Sequence, residues 1–286
     1  MVSTRIPRSR KIIFAILAHE NELALTHQII NLRFYHPDAE IVLYNGGVNK
    51  RFGQKLGIPV CPYSKPLKYD FLGMFLVDVA KWLHETNTEY EYLVSLDHDI
   101  LFIKHGFHSF LDETMEGFDC MGWGLTISRN PSEYGKVSKK GITRMWREWR
   151  RWQPLFGTDK VIWYFNPGQV YRKSMVTKIL ARIQKFPLEE LLSSTQVTAA
   201  EEMLFVTTAH ACGARIRSYP DEELGVVRVG PNSIKLPEVK NARRHPCHYW
   251  IHPIKNNRLI EMNQYLLFNQ KPSGDSLKKQ KQSKKK

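Results

Sequence analysis

Two acids one residue apart, Asp97 and Asp99, stand between the apolar runs 92–96 and 100–103. Like charges a few ångströms apart repel, and partial burial strengthens the repulsion. A divalent cation removes that cost, and hard Mn2+ or Mg2+ takes carboxylate and phosphate oxygens as ligands. The expected chemistry of Asp97, His98 and Asp99 is therefore a metal bridging a nucleotide diphosphate and neutralising charge as the leaving group departs. The alternative is an exposed acidic turn. Apolar runs on both sides argue against it.

The remaining groups that could do chemistry lie in the second half. Glu201 and Glu202 open a helix over 203–211, where acids also serve simply to favour the helix dipole. Residues 248–255 alternate, which sends His248, Trp250 and His252 to one face. A satisfied structural histidine is one account of His252. Trp146, Trp149 and Trp152 recur every three residues between Arg144, Arg147, Arg150 and Arg151. They form either a core-packing helix with arginines reaching outward or an acceptor lip, aromatic and basic, at sugars or a membrane interface. Trp163 and Tyr164, close in sequence, add sugar-stacking surface.

These groups need a scaffold. Residues 11–18 read as a buried strand, 23–35 as a helix with apolar positions 25, 29, 32 and 35, and 41–44 as a second strand ended by Asn45, Gly46 and Gly47. A helix over 71–84, burying Phe71, Phe75, Val79, Trp82 and Leu83, leads to the strand 92–96. Further on, Asn166, Pro167 and Gly168 make a turn before a strand, followed by a helix over 173–186; a last strand is expected over 215–219. Alternating strands and helices predict an α/β fold, a mixed and mainly parallel sheet flanked by helices. Ligands bind such sheets at the carboxyl ends of the strands. That places Ala18, His19, Glu20 and Asn21 beside Asn45 and Gly46 and beside Asp97, His98 and Asp99.

Composition sets bounds. With 286 residues and 42% hydrophobic content the chain is a globular protein. The expected division is a basic tail over 1–10, one domain over 11–270 and a disordered Lys-rich tail over 271–286. The net charge is +14, of which residues 271–286 carry +6 and residues 1–11 carry +4, leaving +4 for the rest. Nucleic acid is thus not an expected partner, although a basic nucleic-acid-binding protein and a carboxylate-pair glycoside hydrolase are the competing classes. The tails suit peripheral contact with an anionic membrane. Four scattered cysteines, without a C-x-x-C pair, fit a reduced cytoplasmic protein. The C-terminal tail has no apolar face to bury. Deleting 271–286 is expected to leave the melting temperature and nucleotide binding unchanged; a loss of several degrees would show that it docks on the fold.

Several islands resemble glycosyltransferases of the GT-A fold, and within them the core-2 β-1,6-N-acetylglucosaminyltransferase and xylosyltransferase family. Residues 13–21 are similar to that family's first strand and nucleotide loop, and 92–96 through 102–104 to its middle strand. Phe165, Asn166, Pro167 and Gly168, then 171–174, resemble its acceptor-side strand and following helix. Residues 201–207 resemble a helix start whose Glu is the catalytic base. The family commonly lacks the paired acids that Asp97 and Asp99 provide here. The resemblance implies a nucleotide-sugar donor, foremost a UDP-sugar, and a glycan or other hydroxyl acceptor. It implies Glu202 as base with Glu201 beside it, and donor contacts from residues 18–21, Asn45, Gly46, 97–99 and Lys255. It further implies acceptor contacts from Trp163, Asn166, Gly168 and Trp250, and Mn2+ or Mg2+ on Asp97, Asp99 and a histidine near the end of the domain, His252 first and His248 second.

Overall fold

The computed structural model describes residues 12–68, 71–131, 140–220, 225–228, 230, 232–255 and 257–268. Both charged tails fall outside them. Strand β1 (Ile12–Ala18) is buried at every position, the pattern of a strand covered on both faces. It pairs in parallel with β2 (Glu40–Asn45) and with β3 (Tyr92–Asp97). Beyond β3 the sheet continues through β8 (Val170–Arg172), β5 (Cys120–Gly122) and β9 (Ile216–Ser218), in the order β2-β1-β3-β8-β5-β9. Only β8 runs against the others. The architecture is the mixed, mainly parallel α/β sheet flanked by helices that the sequence predicts.

Alternation along β1 divides the core. Ile12, Phe14 and Ile16 meet Leu25, Ile29, Leu32 and Tyr35 of helix α1 (Glu22–Tyr35). Ile13, Ala15 and Leu17 face α2 (Met74–Glu85), α6 (Lys173–Ile183) and α8 (Glu201–Ala211) on the other side. Two short ribbons complete the frame. In one, β4 (Leu101–Phe102) pairs with β10 (Trp250–Ile251); in the other, β6 (Thr126–Ser128) pairs with β7 (Val161–Trp163). The helix α10 (Asn257–Phe268) packs on α1. No helix among the described residues is long and apolar enough to cross a membrane.

Three local expectations need correction. The helix foreseen over 71–84 starts at Met74, because Phe71 is taken by a bridge to Lys68 and Gly73 caps the helix. The tryptophan stretch is not one helix. It breaks at Glu148 into α4 (Lys140–Arg147) and α5 (Trp149–Phe156), and the Glu148 carboxylate accepts from Thr195 Oγ1, Gln196 N and Arg151. Trp152 is fully buried, and Trp146 and Trp149 pack against the same core, so the tryptophan side is a packing face and not an acceptor lip. Finally, β10 is only two residues long, so alternation does not persist across it. His248 and Trp250 both lie against Trp123, while His252 turns to Phe165 and the acids.

The turn before β8 is held tightly. Gly168 has φ +80°, donates its N–H to Ser95 O at 2.7 Å and accepts from Tyr219 Oη at 2.8 Å. A Cβ there would sit 2.2 Å from the Trp250 ring. Gly168→Ala combines a left-handed backbone penalty with overpacking and is expected to destabilise by about 3 kcal/mol. Urea denaturation checks this; a change below about 1 kcal/mol would mean that the turn yields easily.

Candidate functional site

At the carboxyl end of the sheet the first two loops are knitted together. Gly46 donates its N–H to Ala18 O at 2.9 Å, and a Cβ on Gly47 would come within 2.8 Å of His19 O. Asn21, itself at φ 60°, caps α1 by accepting from Ala24 N at 3.0 Å. Asn45 is buried; its side chain accepts from Gly47 N and donates to Asn49 O. Both asparagines thus shape their loops, and His19 and Glu20 are left exposed at the rim. His98 is half-buried with its ring edge-on to His19, 5.9 Å between centroids, and burial lowers its pKa.

Asp97 ends β3, and Asp99 lies at the turn into β4. Helix α1 clamps this turn from below: Gln28 Nε2 donates to Asp97 O at 2.7 Å and to Ile100 O at 3.2 Å, and Asn31 exchanges hydrogen bonds with the backbone of Phe102. From the far end of the chain, Ile254 N donates to Asp99 O at 2.9 Å. Asp97, Asp99 and His252 each thereby offer one ligand atom, all within 4.8 Å of one another.

The histidine decides what this cluster can hold. His252 Nδ1 lies 3.0 Å from the carbonyl oxygen of Arg228, which can only accept, so Nδ1 carries the proton. In the neutral ring Nε2 is then a lone pair, and it faces the buried Asp99 Oδ1 at 3.1 Å. No hydrogen is available between two acceptors, and Asp99 Oδ1 has no other hydrogen-bond partner. A proton between them or a cation reconciles them. Burial works against a charged ring, but the hydrogen bond and charge of Asp99 raise the His252 pKa. Burial also works against the Asp99 anion, yet the hydrogen bond and charge of His252, with His98 and Lys255, hold its pKa below the usual carboxylate range. Asp97 is pushed up to about 6, first by burial and then by Asp99. A ring whose outer N–H is fixed by a backbone carbonyl, with its other nitrogen aimed at two carboxylates, is a metal-ligand arrangement. The donor set fits a hard divalent ion.

Lys255 Nζ donates to Asp99 Oδ2, and its backbone N–H donates to Ser233 Oγ at 2.8 Å. Half exposed, the ammonium adds positive charge beside the two acids. On the other side Asn166 joins two groups. Its Nδ2 donates to Asp97 Oδ1 at 3.0 Å, and its backbone N–H donates to Glu202 Oε1 at 3.3 Å. The Trp163 indole N–H donates to Glu202 Oε2 at 2.6 Å. Glu201 turns elsewhere, accepting from Leu72 N at 3.3 Å; burial, then Glu202 and Asp97, raise its pKa well above the usual range.

The fold therefore brings together Asp97, Asp99, His252, Lys255, Asn166, Glu202 and Trp163. Trp250 and Gly168 are buried against each other, so they shape the Asn166 turn. His248, the second-choice ligand, lies between Trp123 and His245 and outside the cluster. Sequence reasoning missed Gln28, Asn31 and the Arg228 carbonyl. Gln28 and Asn31 left a signal: both interrupt the apolar side of α1 and are fully buried. The Arg228 carbonyl left none.

No protein-family model matches the sequence, and no curated protein matches it. Among solved structures, the galactosyltransferase LgtC in complex with donor and acceptor sugar analogs aligns with 92% of this chain and 98% of its own, at 12% identity and TM-score 0.45. The bifunctional IspDF from Campylobacter jejuni aligns with 73% of this chain and 49% of its own, at 14% identity and TM-score 0.37. Likenesses this distant say nothing of chemistry, which is read from the site itself.

Proposed function

We propose that this protein is a metal-dependent glycosyltransferase of the GT-A type that moves a sugar from a nucleotide-diphosphate donor, foremost a UDP-sugar, to a hydroxyl acceptor with inversion. The observation that carries the reading is the His252 ring, locked by Arg228 O and aimed at Asp99 at the carboxyl end of a mainly parallel sheet. Asp97, Asp99 and His252 would hold Mn2+ or Mg2+. When bound, the ion offsets the negative charge of the diphosphate and of the departing nucleotide. Lys255 adds a cation for the same phosphates.

Glu202 supplies the base, a role that follows the resemblance of residues 201–207 to the core-2 and xylosyltransferase helix start. Its carboxylate takes the proton of the acceptor hydroxyl while that oxygen bonds to the anomeric carbon and the bond to the diphosphate breaks. Trp163 and Asn166 each donate to one of the carboxylate oxygens, which fixes the orientation of the group. Attack from the face opposite the nucleotide inverts the anomeric centre. A cytoplasmic setting, with the basic tails touching anionic membrane, completes the proposal.

The test is a panel of UDP- and GDP-sugars incubated with the protein, with and without EDTA, following nucleotide release and the anomer formed. Release that needs the metal and an inverted product are expected. Glycoside hydrolysis without a nucleotide, or turnover indifferent to EDTA, would contradict the reading.

A further inference from the structure

The arginine side of the tryptophan stretch is left without a role by the site above. With the tryptophans turned into the core, α4 presents Lys140, Arg144 and Arg147, at i, i+4 and i+7, along one side. Lys140 and Arg147 are exposed and Arg144 is half-exposed. Among the described residues none of the three is in an ion pair. Glu148, the acid next to Arg147 in sequence, is engaged by Arg151, Thr195 and Gln196. Other basic side chains show the contrast: Arg172 pairs with Glu91, Arg228 with Glu238 and Lys173 with Glu89.

The helix is also fixed beside the candidate base. Arg144 Nη1 donates to Thr198 Oγ1 at 3.0 Å, on the segment that leads directly into Glu201 and Glu202. A Cβ on Gly141 would lie 2.6 Å from Thr198 O and 3.2 Å from Met203 Cε, so α4 touches both ends of the 198–203 segment. Through Arg144 and Gly141, α4 is therefore packed on the segment that carries Glu202.

We propose that the acceptor is acidic: a saccharide bearing a carboxylate or phosphate group that Lys140, Arg144 and Arg147 bind while its hydroxyl faces Glu202. This rests on the glycosyltransferase reading and names the substrate class for that site. Guanidinium groups match both anions in bidentate geometry, and three of them or their lysine equivalents along one helix side suit an extended acidic chain. A membrane surface fits less well, because Trp146, the aromatic residue of α4, packs partly buried against the core and its indole N–H is engaged by Ser128.

Binding is measured on the full chain loaded with Mn2+ and UDP. The probes are a galacturonic acid oligosaccharide, the galactose oligosaccharide of the same length, and that galactose oligosaccharide carrying a terminal phosphate. At least one anionic probe is expected to bind about tenfold more tightly than the neutral one, and which one distinguishes the carboxylate from the phosphate source. That preference should shrink as salt is raised and fall about tenfold in the K140Q/R147Q double variant. It should persist in K140R/R147K, which keeps both charges. Equal binding of anionic and neutral probes, or a preference that survives both salt and charge removal, overturns the assignment. So does tighter capture by phosphatidylglycerol-containing vesicles that is lost in K140Q/R147Q. A protein that binds no UDP with Mn2+ refutes the transferase reading and this inference with it; one that binds UDP without an anionic preference refutes this inference alone.

Discussion

Asp99→Asn is expected to lower metal-dependent affinity for UDP by about 100-fold or more. Changing groups that merely orient metal ligands costs tenfold to 100-fold, and Asp99 is a proposed ligand. The variant keeps the size of the side chain but removes the charge that balances His252 and Lys255. His252→Ala should weaken metal dependence by a similar factor, because the ring supplies the only nitrogen in the cluster. His248→Ala should leave metal dependence unchanged, since that ring sits against Trp123. Calorimetric titration with UDP, in Mn2+ and in EDTA, gives all three numbers. Equal affinities for the Asp99→Asn and unaltered proteins would remove the metal from the account.

Glu202→Gln is expected to lower kcat by about 10² to 10⁴ while leaving metal-dependent UDP binding in place. Gln keeps acceptor and donor capacity beside Trp163 and Asn166, so the loss reports the missing base and not a collapsed loop. Glu201→Gln should be much milder for a physical reason. Burial, Glu202 and Asp97 raise the Glu201 pKa well above the usual range, and a neutral Glu is already close to Gln in charge and shape. The two residues are neighbours on a helix, about 100° apart, and the structure sends them to different partners. Near-full turnover by Glu202→Gln, or a product that retains the donor configuration, would show that another group or another mechanism is at work.

How much of this was legible in the sequence varies with the range of the forces involved. The continuous apolar run of β1 and the positions 25, 29, 32 and 35 of α1 report burial directly, so strand, helix and layer order follow from them. The carboxylate pair is legible because the next residues are apolar and continue into β4. His252 needed more than local pattern. It reaches the acids only because β10 pairs with β4 from a point about 150 residues further along the chain, a contact set by tertiary packing. Alternation alone made His248 its equal, and the two-residue length of β10 separates them. Asn166 was expected on the acceptor side through the resemblance, whereas its amide also binds Asp97, a bond that depends on β8 running antiparallel to β3. The tryptophan repeat was ambiguous for a different reason. A three-residue spacing drifts around a helix of 3.6 residues per turn, and the break at Glu148 resolves the drift by starting a new helix.

The most direct test of the central claim is calorimetric titration of the protein with UDP and with GDP, each in the presence of Mn2+, of Mg2+ and of EDTA. The account predicts saturable binding of at least one nucleotide with a divalent ion and its loss in EDTA. Binding of equal strength in EDTA, or none under any condition, would contradict it.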